Sequence, residues 1–208
     1  MKYKHLFWDF DGTLYNSYPQ IIRALRRTYE STGYPAPPDT VLLERMKNSG
    51  FYALSCASQE TGIEVQILRS RYSAFHAEET EFPPYEGMLG CIKRLSDSGI
   101  THYLYTHRDR KAIWHLERDG ISSLFRDAVT SEDGFPMKPK PDALLALMER
   151  NGLKPEQCLM IGDREIDILS GNGAGMDGLM FDPNGFYPDN SAVATVKTME
   201  EIVKMFDA

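Results

Sequence analysis

The sequence predicts an α/β fold: a doubly wound parallel sheet with an all-helical domain inserted after the first strand. From about residue 84 onward, short runs of consecutive apolar residues alternate with amphipathic helical patterns. Strands that are covered on both faces, as in parallel sheets, are apolar at consecutive positions. Residues 15–83 lack this alternation and carry successive helical patterns instead. We therefore predict a core formed by residues 1–14 and 84–208, with a helical domain at 15–83.

The first strand is the apolar run Leu6-Phe7-Trp8, and the helical segment follows it. Ser17 and Pro19 fit the start of the first helix, and Gly33 fits its end. A stiff, proline-rich connector comes next, and further helices are then predicted at 39–47, 51–61 and 64–80.

Four more apolar runs predict the remaining strands of the core: Tyr103-Leu104-Tyr105, Ala128-Val129, Cys158-Leu159-Met160-Ile161 and Leu179-Met180-Phe181. Between these runs apolar residues recur at helical spacing, and glycines stand where the helices would stop, at Gly99, Gly120 and Gly152. Repeated alternation of strand and helix is the pattern of a doubly wound sheet.

Composition limits the kinds of partner that the chain can have. The formal net charge of −7 over 208 residues argues against binding to nucleic acid or to an anionic membrane, since both require a positive surface field. The three cysteines are scattered and form no CxxC pair, which fits a reducing compartment. The first apolar run is too short for a signal peptide, and no stretch approaches the ~18 apolar residues of a membrane span. We expect a cytoplasmic protein, monomeric or a small homo-oligomer.

Polar clusters mark the ends of several predicted strands. In open α/β sheets, ligands bind outside the carboxyl ends of the strands. Three clusters directly follow strands and a fourth precedes a helix: Asp9-Phe10-Asp11-Gly12-Thr13, Thr106-His107-Arg108, Gly162-Asp163-Arg164-Glu165-Ile166-Asp167 and Lys138-Pro139-Lys140-Pro141. We expect them to meet at one edge of the sheet.

These four clusters, in their order along the chain, resemble the motifs of the haloacid dehalogenase-like (HAD) superfamily of hydrolases. The similarity covers essentially the whole chain, including the inserted helical cap, and is greatest to the phosphoglycolate phosphatase and beta-phosphoglucomutase group. The resemblance implies a Rossmann-like core and a magnesium-dependent phosphatase that acts on a small phosphate monoester.

The resemblance also assigns roles to the acidic residues. The position of Asp9 implies the nucleophile that forms an aspartyl-phosphate and also binds the metal. Asp11 would protonate the leaving alcohol and later activate water, while its backbone carbonyl binds the metal. Asp163 would be a second direct ligand of Mg²⁺. Asp167, one helical turn later, either orients metal-bound water or Lys138 or is a surface charge.

A cation is physically required, because a carboxylate and a phosphate dianion repel each other by about 4 kcal/mol per unit pair at ~4 Å and an effective dielectric constant of ~20.

Basic and hydroxyl groups are the expected phosphate ligands. The family pattern of lysine, proline, any residue, proline selects Lys138 over Lys140, and the same resemblance makes Thr106 a phosphate contact. His107 stands where the family usually has asparagine, so it is either a substrate contact or a partly buried polar residue.

Two residues of the helical segment are candidate substrate contacts. Tyr15 begins the insertion, and Lys47 belongs to a turn between helices that could face the site. The alternative interpretation of both is a solvated loop.

Other functions on this fold differ in what they require. A dehalogenase would not need Asp11 and Asp163, so their presence argues against that activity. A phosphomutase shares the core and differs mainly in the cap, and it remains the alternative. A non-catalytic binding module is disfavoured because a competent residue fills every polar catalytic position. The identity of the phosphate ester stays open.

Overall fold

The computed structural model describes residues 2–78 and 81–206. In chain order its elements are β1 (His5–Trp8), α1 (Tyr18–Glu30), α2 (Asp39–Asn48), α3 (Gly50–Thr61), α4 (Val65–Glu78), α5 (Met88–Asp97), β2 (Thr101–Tyr105), α6 (Lys111–Arg118), β3 (Phe125–Val129), α7 (Asp142–Asn151), β4 (Cys158–Gly162), α8 (Glu165–Gly173), β5 (Asp177–Phe181), β6 (Ala194–Val196) and α9 (Met199–Lys204). The predicted helix at 64–80 corresponds to α4, and its last two predicted positions lie outside the described residues.

The chain divides into two compact units, an α/β unit of Met1–Tyr15 with Pro84–Ala208 and a helical unit of Asn16–Pro83. Tyr15, the first residue of the predicted helical segment, belongs instead to the α/β unit. Its ring is fully buried and stacks on Phe10 with 4.5 Å between ring centroids. This packing ties Tyr15 to the loop that follows β1.

A six-stranded sheet in the order β3-β2-β1-β4-β5-β6 forms the centre of the α/β unit, and all its strand pairs are parallel. This confirms the predicted fold class. Phe7 and Tyr103 stack on adjacent strands with 4.7 Å between ring centroids, and both are buried. Because β1 and β4 are neighbours in the sheet but distant in sequence, the strand order reverses between them, and such switch points form binding crevices in open sheets.

The helical unit has its own apolar core. The buried faces of α1 to α4 supply it, with Ile21, Leu25, Tyr29, Leu42, Leu54 and Leu68 among the residues. Its first and last residues are neighbours, because the backbone N–H of Asn16 donates to the carbonyl of Pro83 at 3.0 Å. No helix among the described residues is long and apolar enough to cross a membrane.

Candidate active site

Three buried aspartates meet at the switch point of the sheet. Asp9 directly follows β1, Asp163 directly follows β4, and Asp167 lies in the first turn of α8. The backbone N–H of Asp9 donates to the carbonyl of Ile161 at 2.9 Å, which continues the β1–β4 pairing to the strand end. One carboxylate oxygen from each aspartate lies within 4.8 Å of the others. We call these three residues the carboxylate cluster.

Lys138 is the counter-charge of the carboxylate cluster. Its ammonium nitrogen lies 2.6 Å from Asp9 Oδ1 and 2.7 Å from Asp167 Oδ1, and it donates to the carbonyl of Tyr105 at 3.0 Å. The side chains of Lys138 and Asp167 are completely buried, so Asp167 is not a surface charge. Burial opposes the charge of the lysine, but the Asp167 and Asp9 carboxylates raise the pKa of Lys138 above its ordinary value. The lysine therefore stays protonated.

The charge balance of the cluster favours a further cation. Lys138 contacts two of the three carboxylates, those of Asp9 and Asp167. Burial raises the pKa of Asp9 to about 7; Lys138 and Arg164 oppose this rise, and the Asp167 and Asp163 carboxylates add to it. Asp9 Oδ2 is buried and accepts no hydrogen bond from the described residues. Oxygen ligands in this arrangement suit a hard divalent ion such as Mg²⁺. The residues present thus fit the metal that the sequence predicts.

Thr106 directly follows β2, whose last residue, Tyr105, accepts a hydrogen bond from Lys138. It is buried, its N–H donates to the carbonyl of Val129, and its Oγ1 accepts the N–H of Arg108 at 3.0 Å. Since the hydroxyl acts as acceptor in that contact, its own proton can be donated to an anion. This geometry is compatible with the predicted phosphate contact.

His107, which stands where the family usually has asparagine, makes a contact within the protein. Its Nε2 accepts the backbone N–H of Lys138 at 2.8 Å, which requires that nitrogen to be unprotonated. Burial, with the nearby charges of Lys138 and Arg164, lowers the pKa of His107 to about 3. The histidine fixes the loop that carries Lys138, a role that the sequence does not predict.

Asp11 lies in the turn after β1, where Gly12 adopts a left-handed φ of +79°. Its carboxylate is paired with the guanidinium of Arg108, with 2.5 Å between Nη2 and Oδ1. Arg108 stands in a predicted cluster, but sequence reasoning gives it no role, because a loop arginine has no periodic signal. Arg164 is missed for the same reason. Its charge opposes the rise in the pKa of Asp9 and, after Lys138, helps to lower the pKa of Asp167.

The two remaining candidate contacts are held by other partners. The hydroxyl of Tyr15 donates to Asp119 Oδ2 at 2.8 Å, on the α6 side of the α/β unit, and the contact of this residue with substrate stays a prediction. The ring of Tyr15 is fully buried, so the alternative interpretation of this residue as part of a solvated loop is wrong. Lys47 lies in α2 and not in a solvated turn, and it is buried with its ammonium nitrogen 4.7 Å from the ring centroid of Tyr18. Its contact with substrate stays a prediction.

Comparison with known proteins identifies the family. The family model of haloacid dehalogenase-like hydrolases matches residues 6–181. The chain belongs to this family. A phosphoglycolate phosphatase of Vibrio parahaemolyticus is 31% identical to this hydrolase over 184 residues, which are 83% of the chain and 80% of the relative. The pyrophosphatase PpaX of Halalkalibacterium halodurans is 29% identical over 189 residues, 85% of the chain and 82% of the relative.

Solved structures agree with this assignment at the level of the fold. The HAD-hydrolase YfnB of Bacillus subtilis, in a crystal form bound to magnesium, has a TM-score of 0.78 and 22% identity, and the match covers 100% of both chains. The predicted resemblance to the phosphoglycolate phosphatase group is confirmed. Together with relatives named as phosphatases, the family makes this hydrolase an enzyme that acts as a phosphatase.

Proposed function

We propose that this hydrolase cleaves a small phosphate monoester in the presence of Mg²⁺ by transferring the phosphoryl group to Asp9. One observation carries the proposal: Lys138 joins Asp9 and Asp167 through contacts of 2.6 and 2.7 Å within a cluster of three buried carboxylates. A lysine and several carboxylates at a strand end bring together a nucleophile, ligands for a cation and a hydrogen-bond donor to the phosphate. This combination suits phosphoryl transfer, in which catalysis is largely positioning and charge stabilisation.

The first step forms a bond between a carboxylate oxygen of Asp9 and phosphorus and breaks the bond between phosphorus and the ester oxygen. Asp11, which is ionised in its pair with Arg108, takes up a proton from solvent when the negatively charged phosphate binds, and it passes that proton to the departing alcohol. Lys138 and the hydroxyl of Thr106 donate to the phosphoryl oxygens as negative charge shifts toward the leaving group.

The second step returns the enzyme to its starting state. Asp11, now ionised, removes a proton from a water molecule, and the resulting oxygen attacks phosphorus. The bond between Asp9 and phosphorus breaks, inorganic phosphate leaves, and Asp11 returns the proton to solvent as it becomes ionised again. The mixed anhydride of a carboxylate and phosphate is reactive, so covalent catalysis divides one difficult displacement into two easier ones.

The metal would be held by Asp9 and Asp163, with the backbone carbonyl of Asp11 as a further oxygen ligand. When bound, Mg²⁺ reduces the repulsion between the incoming phosphate and the carboxylates and draws charge from the phosphoryl oxygens. Asp167 is then left to hold Lys138, as its 2.7 Å contact indicates.

The names of the relatives support a small substrate. Phosphoglycolate is the first candidate, because the relative from Vibrio parahaemolyticus is a phosphoglycolate phosphatase. The name of PpaX makes inorganic pyrophosphate the second compound to test.

A panel of phosphate esters tests the proposal. Purified protein with Mg²⁺ should release phosphate from at least one ester, and Asp9→Asn should remove that activity while Asp97→Asn, at an exposed position, retains it. Rapid quenching with a ³²P-labelled substrate should trap label on the wild-type chain in a form that hydroxylamine removes, as expected for an acyl phosphate.

Three results would contradict the proposal in different ways. Full turnover by Asp9→Asn would reject the nucleophile. Isomerisation of a sugar phosphate without release of phosphate would identify a phosphomutase. No reaction with any ester would favour a binding module.

A further inference from the structure

The guanidinium of Arg108 donates to the carboxylate of Asp11 through three contacts. Nε lies 3.2 Å from Oδ1 and 3.1 Å from Oδ2, and Nη2 lies 2.5 Å from Oδ1. Donors on both oxygens fix the plane of the carboxylate as well as its position, which a single contact from a lysine would not do. The side chains are 10% and 27% exposed, so the pair is largely shielded from water.

Arg108 is itself held from several directions. Its backbone N–H donates to Thr106 Oγ1 at 3.0 Å, and its carbonyl accepts the N–H of Ser131 at 3.0 Å. Its guanidinium carbon lies 5.5 Å from the ring centroid of Phe10, the residue between the two catalytic aspartates. Arg108 therefore links the end of β2 to the turn after β1.

We propose that Arg108 is a positioning residue that aims Asp11 for proton transfer to the leaving group. The inference rests on the proposed function, since it assumes that Asp11 is the proton donor. It adds a residue that acts through Asp11 and not through the phosphate. The competing explanation is an ion pair that only stabilises the fold.

Leaving groups of different basicity separate these explanations. An alkoxide is a poor leaving group and departs readily only when it is protonated, whereas p-nitrophenolate is stable without a proton. General acid catalysis typically contributes 10²–10⁴-fold to rate. A variant that misplaces Asp11 should therefore lose far more activity with an alkyl phosphate than with p-nitrophenyl phosphate. A variant with a damaged fold should lose activity with both substrates equally.

The test compares Arg108→Met and Arg108→Lys with wild type through kcat/KM, which reports the steps up to the departure of the alcohol. The substrates are p-nitrophenyl phosphate and the best alkyl phosphate of the panel. Arg110→Met is the matched control. Arg110 lies two residues further on, and its side chain faces Glu132 and Asp133 at the surface.

We expect Arg108→Met to lower kcat/KM by about 100-fold or more for the alkyl phosphate and by less than about fivefold for p-nitrophenyl phosphate. Arg108→Lys should recover part of the loss with the alkyl phosphate. Arg110→Met should match wild type with both. Equal losses on the two substrates, or no loss, would overturn the inference while leaving the proposed function intact. Inactivity of the wild type with both substrates would instead overturn the proposed function.

A double-mutant cycle gives a second measurement. If Arg108 acts through Asp11, adding Arg108→Gln to Asp11→Asn should change kcat/KM for the alkyl phosphate by less than about threefold. Independent, multiplying losses would reject the positioning role. Should Arg108→Met fail to fold, Arg108→Lys and Arg108→Gln carry the comparison, with thermal melts to verify folding.

Discussion

Gly162 and Asp167 are packed so closely that a Cβ atom on Gly162 would lie 2.2 Å from the Cβ and 2.4 Å from the Cγ of Asp167. No real Cβ tolerates such distances, so the last residue of β4 must lack a side chain. The missing side chain leaves room for Asp167 to reach Lys138. A backbone position on one element thus determines where a carboxylate on the next element can stand.

Replacing this glycine should therefore damage the site. Gly162→Ala is expected to displace Asp167, to lower kcat at least tenfold and to destabilise the protein by about 1–3 kcal/mol, as overpacking typically does. Gly90→Ala, in α5, is the control and should retain activity, because a Cβ added there would meet no atom within 4 Å. Steady-state kinetics and thermal melts measure both effects. If kcat of Gly162→Ala equals that of wild type, turnover does not depend on the observed position of Asp167.

Removing the buried lysine should affect both turnover and stability. Lys138→Met is expected to lower kcat by about 10²–10³-fold, comparable to the loss of one donor to a transition-state oxyanion. It should also reduce the free energy of unfolding by about 3–5 kcal/mol in the absence of metal, because Asp9 and Asp167 would remain buried without their partner. Lys140→Met, at an exposed position two residues later, provides the comparison. A loss of turnover below about threefold would contradict the phosphate role.

Metal binding should be visible without any substrate. Mg²⁺ at ~100 times its dissociation constant is expected to raise the free energy of unfolding by about 2.7 kcal/mol. Asp163→Asn should abolish most of this stabilisation, and Asp189→Asn, at an exposed position, should preserve it. EDTA should remove turnover in parallel, and added Mg²⁺ should restore it. Equal Mg²⁺-dependent stabilisation of all three proteins would place the ion elsewhere.

Stability should also depend on pH through His102. Trp8 Nε1 donates to His102 Nδ1 at 3.0 Å, a contact that needs an unprotonated ring nitrogen, and burial lowers the pKa of His102 to about 4. Between pH 6.5 and about 4, His102 binds a proton in the unfolded chain but not in the folded protein. The contribution of this residue to stability therefore decreases between pH 6.5 and 4, by about 1.4 kcal/mol per pH unit, and is constant above that range.

His102→Gln can accept the same hydrogen bond but does not titrate. Chemical denaturation from pH 4 to 7.5 should give a shallower pH dependence for this variant than for wild type. Identical slopes would show that His102 is protonated in the folded protein at the same pH as in the unfolded chain.

The parts of the site that follow strongly apolar strands are predictable from the sequence. Asp9 and Asp163 come directly after such runs, so their meeting at the sheet edge follows from the parallel topology. Strand β6 is not predictable from the sequence, because Ala194–Val196 is short and only its last residue is buried. The partners of Asp11 and Lys138 are not predictable either. They depend on which loop side chains approach one another in three dimensions, and neither Arg108 nor His107 differs in sequence pattern from a solvated residue.

The hydrogen bond between Asn16 and Pro83 means that the helical unit begins and ends at adjacent points of the backbone. A different insert could be grafted there through two peptide joins without altering the order or register of the sheet. An exchange of this module would leave the carboxylate cluster unchanged, because Asp9, Asp163 and Asp167 all belong to the α/β unit.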